Sequence, residues 1–170
     1  MKKTIIFFIL LIISINLYSQ VPEPVGIQKG IIVLYDGVIH VGNGRVVNNG
    51  FIIFENGKIS QVSEGNYAVT NKENEIHEIN LKGKNVYPGL ILANSKVGLE
   101  DISAVRATLD HTEIGDINSN IRSIIAYNTD SEMIATFRFN GILLSQVVPD
   151  GELITGNSSI MMMEGWNWED

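Results

Sequence analysis

The sequence predicts two unlike halves, a β-rich stretch of antiparallel hairpins followed by an α/β stretch, and three observations carry that expectation. Short β-branched runs broken by glycine-containing turns occupy residues 31–62, the pattern of consecutive strands. Past Pro88-Gly89 the runs become continuously apolar, as in strands of a parallel sheet. Between two such runs isoleucines recur at helical spacing, so strand, helix and strand succeed one another as in a βαβ unit.

At the N-terminus, Met1-Lys2-Lys3, the apolar run from Ile5 to Ile13 and the segment ending in Leu17-Tyr18-Ser19 form the basic, apolar and small-residue regions of a secretory signal. The apolar run is under half of the roughly 20 residues that a bilayer-spanning helix needs. Residues 1–19 are therefore read as a signal peptide cleaved after Ser19. The mature chain is expected to be exported, to the periplasm or the medium, with no membrane anchor left after cleavage.

In the first half, Ile31 to Tyr35, Val38 to Val41, Val46-Val47, Phe51 to Phe54 and Lys58 to Val62 read as strands. Asn56-Gly57 stands between two of them. A type I′ turn needs positive φ at both central residues, which Asn and Gly tolerate. Gly42-Asn43-Gly44 makes a similar turn one strand earlier; no helix follows it and the full GxGxxG pattern is absent, so it is not read as a phosphate loop. Asn66 to Glu75 is a polar loop, and Ile76 to Leu81 and Asn85-Val86-Tyr87 return to strand.

In the second half, Leu90 to Ala93 is expected to be a strand buried on both faces. Ile117, Ile121, Ile124 and Ile125 fall on one helical face. Thr129 with Glu132 has the spacing of a capping box, announcing a second helix with Met133, Ile134 and Phe137 on its inner face. Asn140-Gly141 supplies its stop. Ile142 to Val148 is a further strand ended by Pro149-Asp150-Gly151, and Ser159 to Met163 another, with Met161-Met162-Met163 in a core.

Composition narrows the chemistry. At 170 residues there is room for one or at most two small domains. The absence of cysteine excludes disulfides, thiolate metal sites and cysteine nucleophiles. Three histidines supply little for a metal site. A formal net charge of −7 argues against a nucleic-acid partner, because neutralising phosphates takes clustered Lys and Arg.

The order of a glycine-turn β segment and then Val86-Tyr87-Pro88-Gly89-Leu90-Ile91 resembles the start of the amidohydrolase superfamily, in particular its imidazolonepropionase-like and dihydroorotase-like members. The resemblance covers about residues 31–98. Val105-Arg106-Ala107-Thr108, the stretch from Ser123 to Asp130, and Gly165-Trp166-Asn167-Trp168-Glu169-Asp170 are similar to phrases of exported bacterial amidohydrolase-like proteins. The resemblance implies an α/β plus β fold: the N-terminal part of a composite β-sandwich over 20–87, then the first β/α units of an incomplete TIM-type (β/α)8 barrel over 88–170. Such a barrel takes about 250 residues. The chain is accordingly expected to be an N-terminal fragment, inactive alone, with a complementary chain carrying the rest of the barrel as its partner.

The family's activity is hydrolysis of non-peptide C–N bonds in cyclic amides and related substrates, with zinc or another divalent metal held by an Asp-x-His-x-His strand. Aligned on Pro88-Gly89, these positions hold Leu92, Asn94 and Lys96. A protonated Lys has no lone pair to donate and an Asn oxygen is a poor zinc ligand, so no metal is expected in this chain. Asn94, Ser95 and Lys96 mark the candidate site mouth, at the strand end where this fold keeps its chemistry. No His–Asp pair stands beside Ser95 in sequence to activate it, and no catalytic residue is assigned. An alternative cluster is Asp110, His111 and Glu113 with Asp116, read either as a divalent-ion site or as a solvated loop with Asp116 as a cap. His40 and His77 read as surface or strand-filling residues. A second functional reading is a non-catalytic exported β-rich binding or structural module.

Overall fold

The computed structural model describes residues 26–68, 75–167 and 169. The signal segment and its cleavage site, residues 69–74 of the polar loop, and Trp168 and Asp170 lie outside the described residues. Among those residues the chain is mostly β, with two mixed sheets and few helices.

The first sheet has strands β1 (Ile31–His40), β2 (Val46–Glu55), β3 (Lys58–Glu64), β4 (Ile76–Asn80) and β5 (Asn85–Val86). β1, β2 and β3 form the expected antiparallel meander, while β4 and β5 both run parallel to β1. Asn56 (φ 54°) and Gly57 (φ 71°) close the β2–β3 turn with both residues left-handed, as the sequence requires. Gln28 braces this turn, accepting from the Gly57 N–H at 2.8 Å and donating to the Phe54 carbonyl at 2.9 Å.

Two pairs of expected short strands are each fused into one longer strand. In β1 the register shifts around Asp36, whose φ is 59°, and in β2 Asn49 sits at φ 47°. A bulge takes up an extra residue without ending the ladder. It also exchanges faces. Val33 packs with Ile31, Phe51 and Ile53, whereas Ile39, six residues on, packs in a separate cluster with Val47 and Ile52. Strict alternation would have kept Val33 and Ile39 together. The sheet is thereby apolar on both sides, with Tyr35 and Tyr67 against the first cluster and Leu34, Phe54 and Val62 against the second. The Glu78 carboxylate beside the Tyr67 hydroxyl, with burial adding to it, pushes that phenol up to about 12.

The second sheet has the order β6 (Leu90–Ser95), β7 (Ile142–Val147), β8 (Ser159–Met162). β6 and β7 are parallel, joined by a crossover that contains 3-10 turns at Arg106–Thr108 and Ser123–Ala126 and the helix α1 (Glu132–Phe139). β8 runs antiparallel to β7, unlike the parallel order expected of successive β/α units.

Three further expectations are corrected here. The helix expected through Ile117, Ile121, Ile124 and Ile125 is absent apart from the single 3-10 turn. Ile117 bridges Ile154, Arg122 bridges Asn157, and the Ile121 carbonyl accepts from the Asn157 N–H at 2.8 Å, so cross-chain bonds take the partners that a helix would have used. Thr129 and Glu132 make no capping box. Ser131 is the N-cap and its side chain does not cap, while the Thr129 hydroxyl donates to the Trp166 carbonyl at 2.8 Å. β6 is not buried on both faces: Leu90 and Ile91 are 60% and 65% exposed on a strand that is an edge among the described residues, and only Leu92 of its apolar run packs, with Ile134 and Ile124, on the face that α1 and the second 3-10 turn cover.

On that covered face Val97, Leu99, Tyr127, Ile134, Val147, Met161 and Met163 form one buried cluster, with Leu92, Phe137 and Ile142 against it. Met161 and Met163 are core residues as expected, and strand alternation turns Met162 outward. Ile134 faces inward, Phe137 is half-buried and Met133 is exposed. Asn140 ends α1 at the expected place. Gly98, at φ 76°, has no side chain to obstruct the Tyr127 ring; a Cβ there would lie 2.4 Å from Tyr127 Cε2. Burial pushes the Tyr127 phenol up to about 12. Among the described residues no helix is long and apolar enough to cross a membrane.

Candidate functional site

The carboxyl ends of parallel strands are where backbone polarity and loop variability place chemistry in open and closed α/β sheets. Here the carboxyl ends of β6 and β7 bring together Asn94, Ser95 and Lys96 from one strand and Pro149-Asp150-Gly151 from the other. The Val148 N–H donates to the Ser95 carbonyl at 2.9 Å, which ties the two ends together.

A bulge shapes this mouth. Leu92 pairs with Ser145 and Ser95 with Val147, so β6 spends one more residue than β7 over the same stretch. Asn94 takes up the difference at φ 52°. Leu92 and Ser95 consequently share the helix-covered face, although their spacing in a regular strand would put them on opposite faces. Leu92 packs against the core cluster. Ser95 is buried, and its hydroxyl accepts from the Val97 N–H at 3.0 Å, which fits a structural role. Leu92, Asn94 and Lys96 therefore do not line up as three consecutive positions of one strand face.

Lys96 Nζ donates to Asp150 Oδ2 at 2.5 Å. The Lys96 hydrogen bond, then the Gly151 N–H at 3.0 Å on Oδ1, and the ammonium charge hold the Asp150 carboxyl below the usual carboxylate range. The Asp150 N–H in turn donates to the His111 carbonyl at 2.6 Å. His111 Nδ1 lies 3.8 Å from Glu100 Oε2, and the Ser103 hydroxyl donates to Glu100 Oε1 at 2.7 Å. His111 Nδ1 is shut from solvent without a hydrogen-bond partner.

The alternative cluster does not assemble as its spacing suggested. His111 turns to Glu100, Asp110 and Glu113 are exposed, and Asp116 caps no helix, its carbonyl instead accepting from Leu153 and Ile154. Among the described residues no group of three or more His, Asp or Glu side chains could hold a metal ion. His40 stacks on Tyr87 with ring centres 4.2 Å apart and pairs with Asn85 at 3.0 Å, while His77 stands 3.8 Å from Glu75.

Sequence reasoning missed Asp150 and Glu100. Asp150 carried a usable signal, since it lies just past the second parallel strand as Ser95 and Lys96 lie at the end of the first. Glu100 carried none, because it is brought to His111 by an antiparallel bridge between Glu100 and Leu109 inside an irregular loop.

Across the uncovered face, Ile91 pairs with Leu144 and Leu144 with Met162, an apolar row over all three strands. Ile91 and Met162 are exposed, as is the neighbouring Ile160. The donor set at the mouth does not fit a catalytic divalent cation: an ammonium already neutralises the Asp150 carboxylate, and the remaining side chain on the strand end is a neutral amide.

No family model and no curated protein matches the chain. Among solved structures, it is similar to an amidohydrolase from Thermotoga maritima, with a TM-score of 0.71 and 20% identity over 81% of this chain. The match takes in 35% of that protein's length, so the chain spans about a third of the structure whose fold it shares. It is also matched to a prolidase complexed with N-methylphosphonate-L-proline, at a TM-score of 0.35 and 22% identity over 42% of this chain and 17% of the other.

Proposed function

We propose that this chain is the N-terminal portion of an exported amidohydrolase-like protein and does not hydrolyse substrate on its own. In this reading residues 1–19 are a signal peptide, 20–87 the sandwich segment and 88–170 the first units of a (β/α)8 barrel. The change of sheet between β5 and β6 supports that boundary, and the likeness to the Thermotoga amidohydrolase supports the ancestry. Fold likeness alone does not carry activity. The activity proposed for the complete assembly is hydrolysis of C–N bonds in cyclic amides, with a complementary polypeptide supplying the remaining strands and the metal ligands.

The observation that carries the proposal is the Lys96–Asp150 pair. The ammonium stands where the family pattern, aligned on Pro88-Gly89, has an imidazole. It satisfies the carboxylate at the mouth as a bound cation otherwise would. What these residues do is structural: Lys96 and Asp150 pair across the ends of the two parallel strands, and the Asp150 N–H ties the crossover loop to them at the His111 carbonyl.

Zinc titration of the purified mature chain, followed by assay on cyclic amides, tests this. No saturable zinc uptake and no zinc-dependent turnover are expected. One zinc per chain, lost in Asn94→Ala, would overturn it. The second reading, a non-catalytic binding module, is favoured by the apolar row Ile91, Leu144 and Met162. A chain that is monodisperse and melts cooperatively without any partner would select it over the split-barrel reading.

A further inference from the structure

Four Asn-Gly dipeptides occur in the chain, beginning at Asn43, Asn49, Asn56 and Asn140. The backbone nitrogen of a residue that follows Asn can attack the Asn side chain at Cγ, and glycine leaves that nitrogen unshielded and its backbone free to bend. In a folded chain the attack depends on whether the nitrogen is already committed, whether the backbone can close the ring and whether water reaches it. The four sites differ on these points.

At three of them the fold holds the nitrogen back. The Gly57 N–H donates to Gln28 Oε1 at 2.8 Å. The Gly141 N–H donates to the Arg138 carbonyl at 2.9 Å, and the Asn140 amide is itself tied to the Thr136 carbonyl at 2.8 Å. Gly50 is buried and paired with Gly37 on one side and Glu64 on the other, which denies it both bending and water. Asn43-Gly44 is unlike these. Both residues are exposed in the turn between β1 and β2, and a Cβ at Gly44 would meet nothing within 4 Å. Among the described residues nothing accepts from the Gly44 N–H. The Arg45 N–H donates to Asn43 Oδ1 at 3.0 Å. That bond draws electrons from Cγ and can persist while charge develops on the oxygen.

We infer that Asn43 is a site of spontaneous main-chain modification. The Gly44 nitrogen gives its proton to solvent base and bonds to Asn43 Cγ; the Cγ–Nδ2 bond breaks, ammonia leaves and a succinimide closes. Water then opens the ring at either carbonyl, leaving aspartate or isoaspartate at position 43. One water is consumed and one ammonia released, with no change of oxidation state. Either product puts a carboxylate on the turn. Isoaspartate also adds a main-chain atom inside the loop that the Val41 N–H and the Arg45 carbonyl close at 3.0 Å.

The test is to age the full mature chain in neutral and mildly alkaline buffer and follow all four sites by peptide mass mapping, with isoaspartate detected by methyl transfer from S-adenosylmethionine. Asn43 is expected to convert first, faster at the higher pH, and about fivefold or more ahead of Asn56, whose glycine N–H must give up a hydrogen bond. Gln28→Ala frees the Gly57 N–H and is expected to speed Asn56 about fivefold while leaving Asn43 unchanged. In urea the four sites should converge. Asn56 or Asn140 converting as fast as Asn43 in the folded chain would overturn the inference. So would an unchanged Asn56 rate in Gln28→Ala, or a lead for Asn43 that survives unfolding, since local sequence rather than the fold would then set the order.

Discussion

Both sheets contain a bulge at a left-handed Asp or Asn, and the two bulges have different outcomes. In the hairpin sheet, Asp36 sends Ile39 to the face opposite Val33, where Val47 and Ile52 receive it. The result is a strand that is buried on both sides. In the second sheet, Asn94 sends Ser95 into the covered face and leaves Lys96 to reach Asp150 at the strand ends. The device is the same; what differs is the cover. Where apolar side chains wait on both faces, the bulge builds core. Where one face is bare, it sets out a polar pair at a mouth.

The largest effect that bears on this contrast is a paired core truncation. Phe51→Ala should destabilise the hairpin sheet by about 3–5 kcal/mol and Leu99→Ala the second sheet by about 2–5 kcal/mol. Their clusters share no residue, so hydrogen exchange should show each loss of protection confined to its own sheet. Protection lost in both sheets from either change would show one cooperative core instead.

Turn and bulge chemistry comes next. Gly57→Ala places a Cβ at φ 71° and should cost about 1–2 kcal/mol. Asn94→Gly removes a Cβ from φ 52° and should stabilise by under about 1 kcal/mol. Urea unfolding measures both. A destabilised Asn94→Gly would show that the amide side chain, and not merely the backbone it tolerates, holds the bulge.

The smallest effect is at the mouth. Lys96 and Asp150 are both well exposed, and screened pairs add little. Asp150 has its folded value lowered, so its contribution is present above the ordinary carboxylate range and fades as pH falls through the lowered folded value. Carboxyl NMR should follow this titration, and Lys96→Ala should move it back toward the ordinary value. An unchanged titration in that variant would mean that the Gly151 N–H alone holds the carboxylate.

These contrasts also explain what could be read beforehand. The Asn56-Gly57 hairpin and the ladder around it were legible because a two-residue turn fixes register through local φ values. The strands at 90–95, 142–147 and 159–162 were legible as apolar runs, but their partners were not. β6 and β7 meet across a crossover of more than forty residues, and β8 pairs antiparallel for reasons no neighbour in sequence announces. The isoleucines at helical spacing misled because residues 154–157 compete for the same backbone groups. At the mouth, Asn94 and Lys96 were found by aligning the family pattern on Pro88-Gly89, and Ser95 by its place at a strand end. Asp150 was overlooked although the same rule applied to it, and His111 was grouped with its sequence neighbours when its ring faces Glu100.

The close approach of Tyr127 to Gly98 has an evolutionary consequence. The aromatic ring fills the volume that any larger residue at position 98 would need, so the two positions cannot drift independently. A lineage that acquires a side chain at 98 must surrender the ring at 127 in the same step or pass through a less stable intermediate. Since Tyr127 also belongs to the buried cluster of the second sheet, a change at this glycine would be inherited together with a change in the core around it.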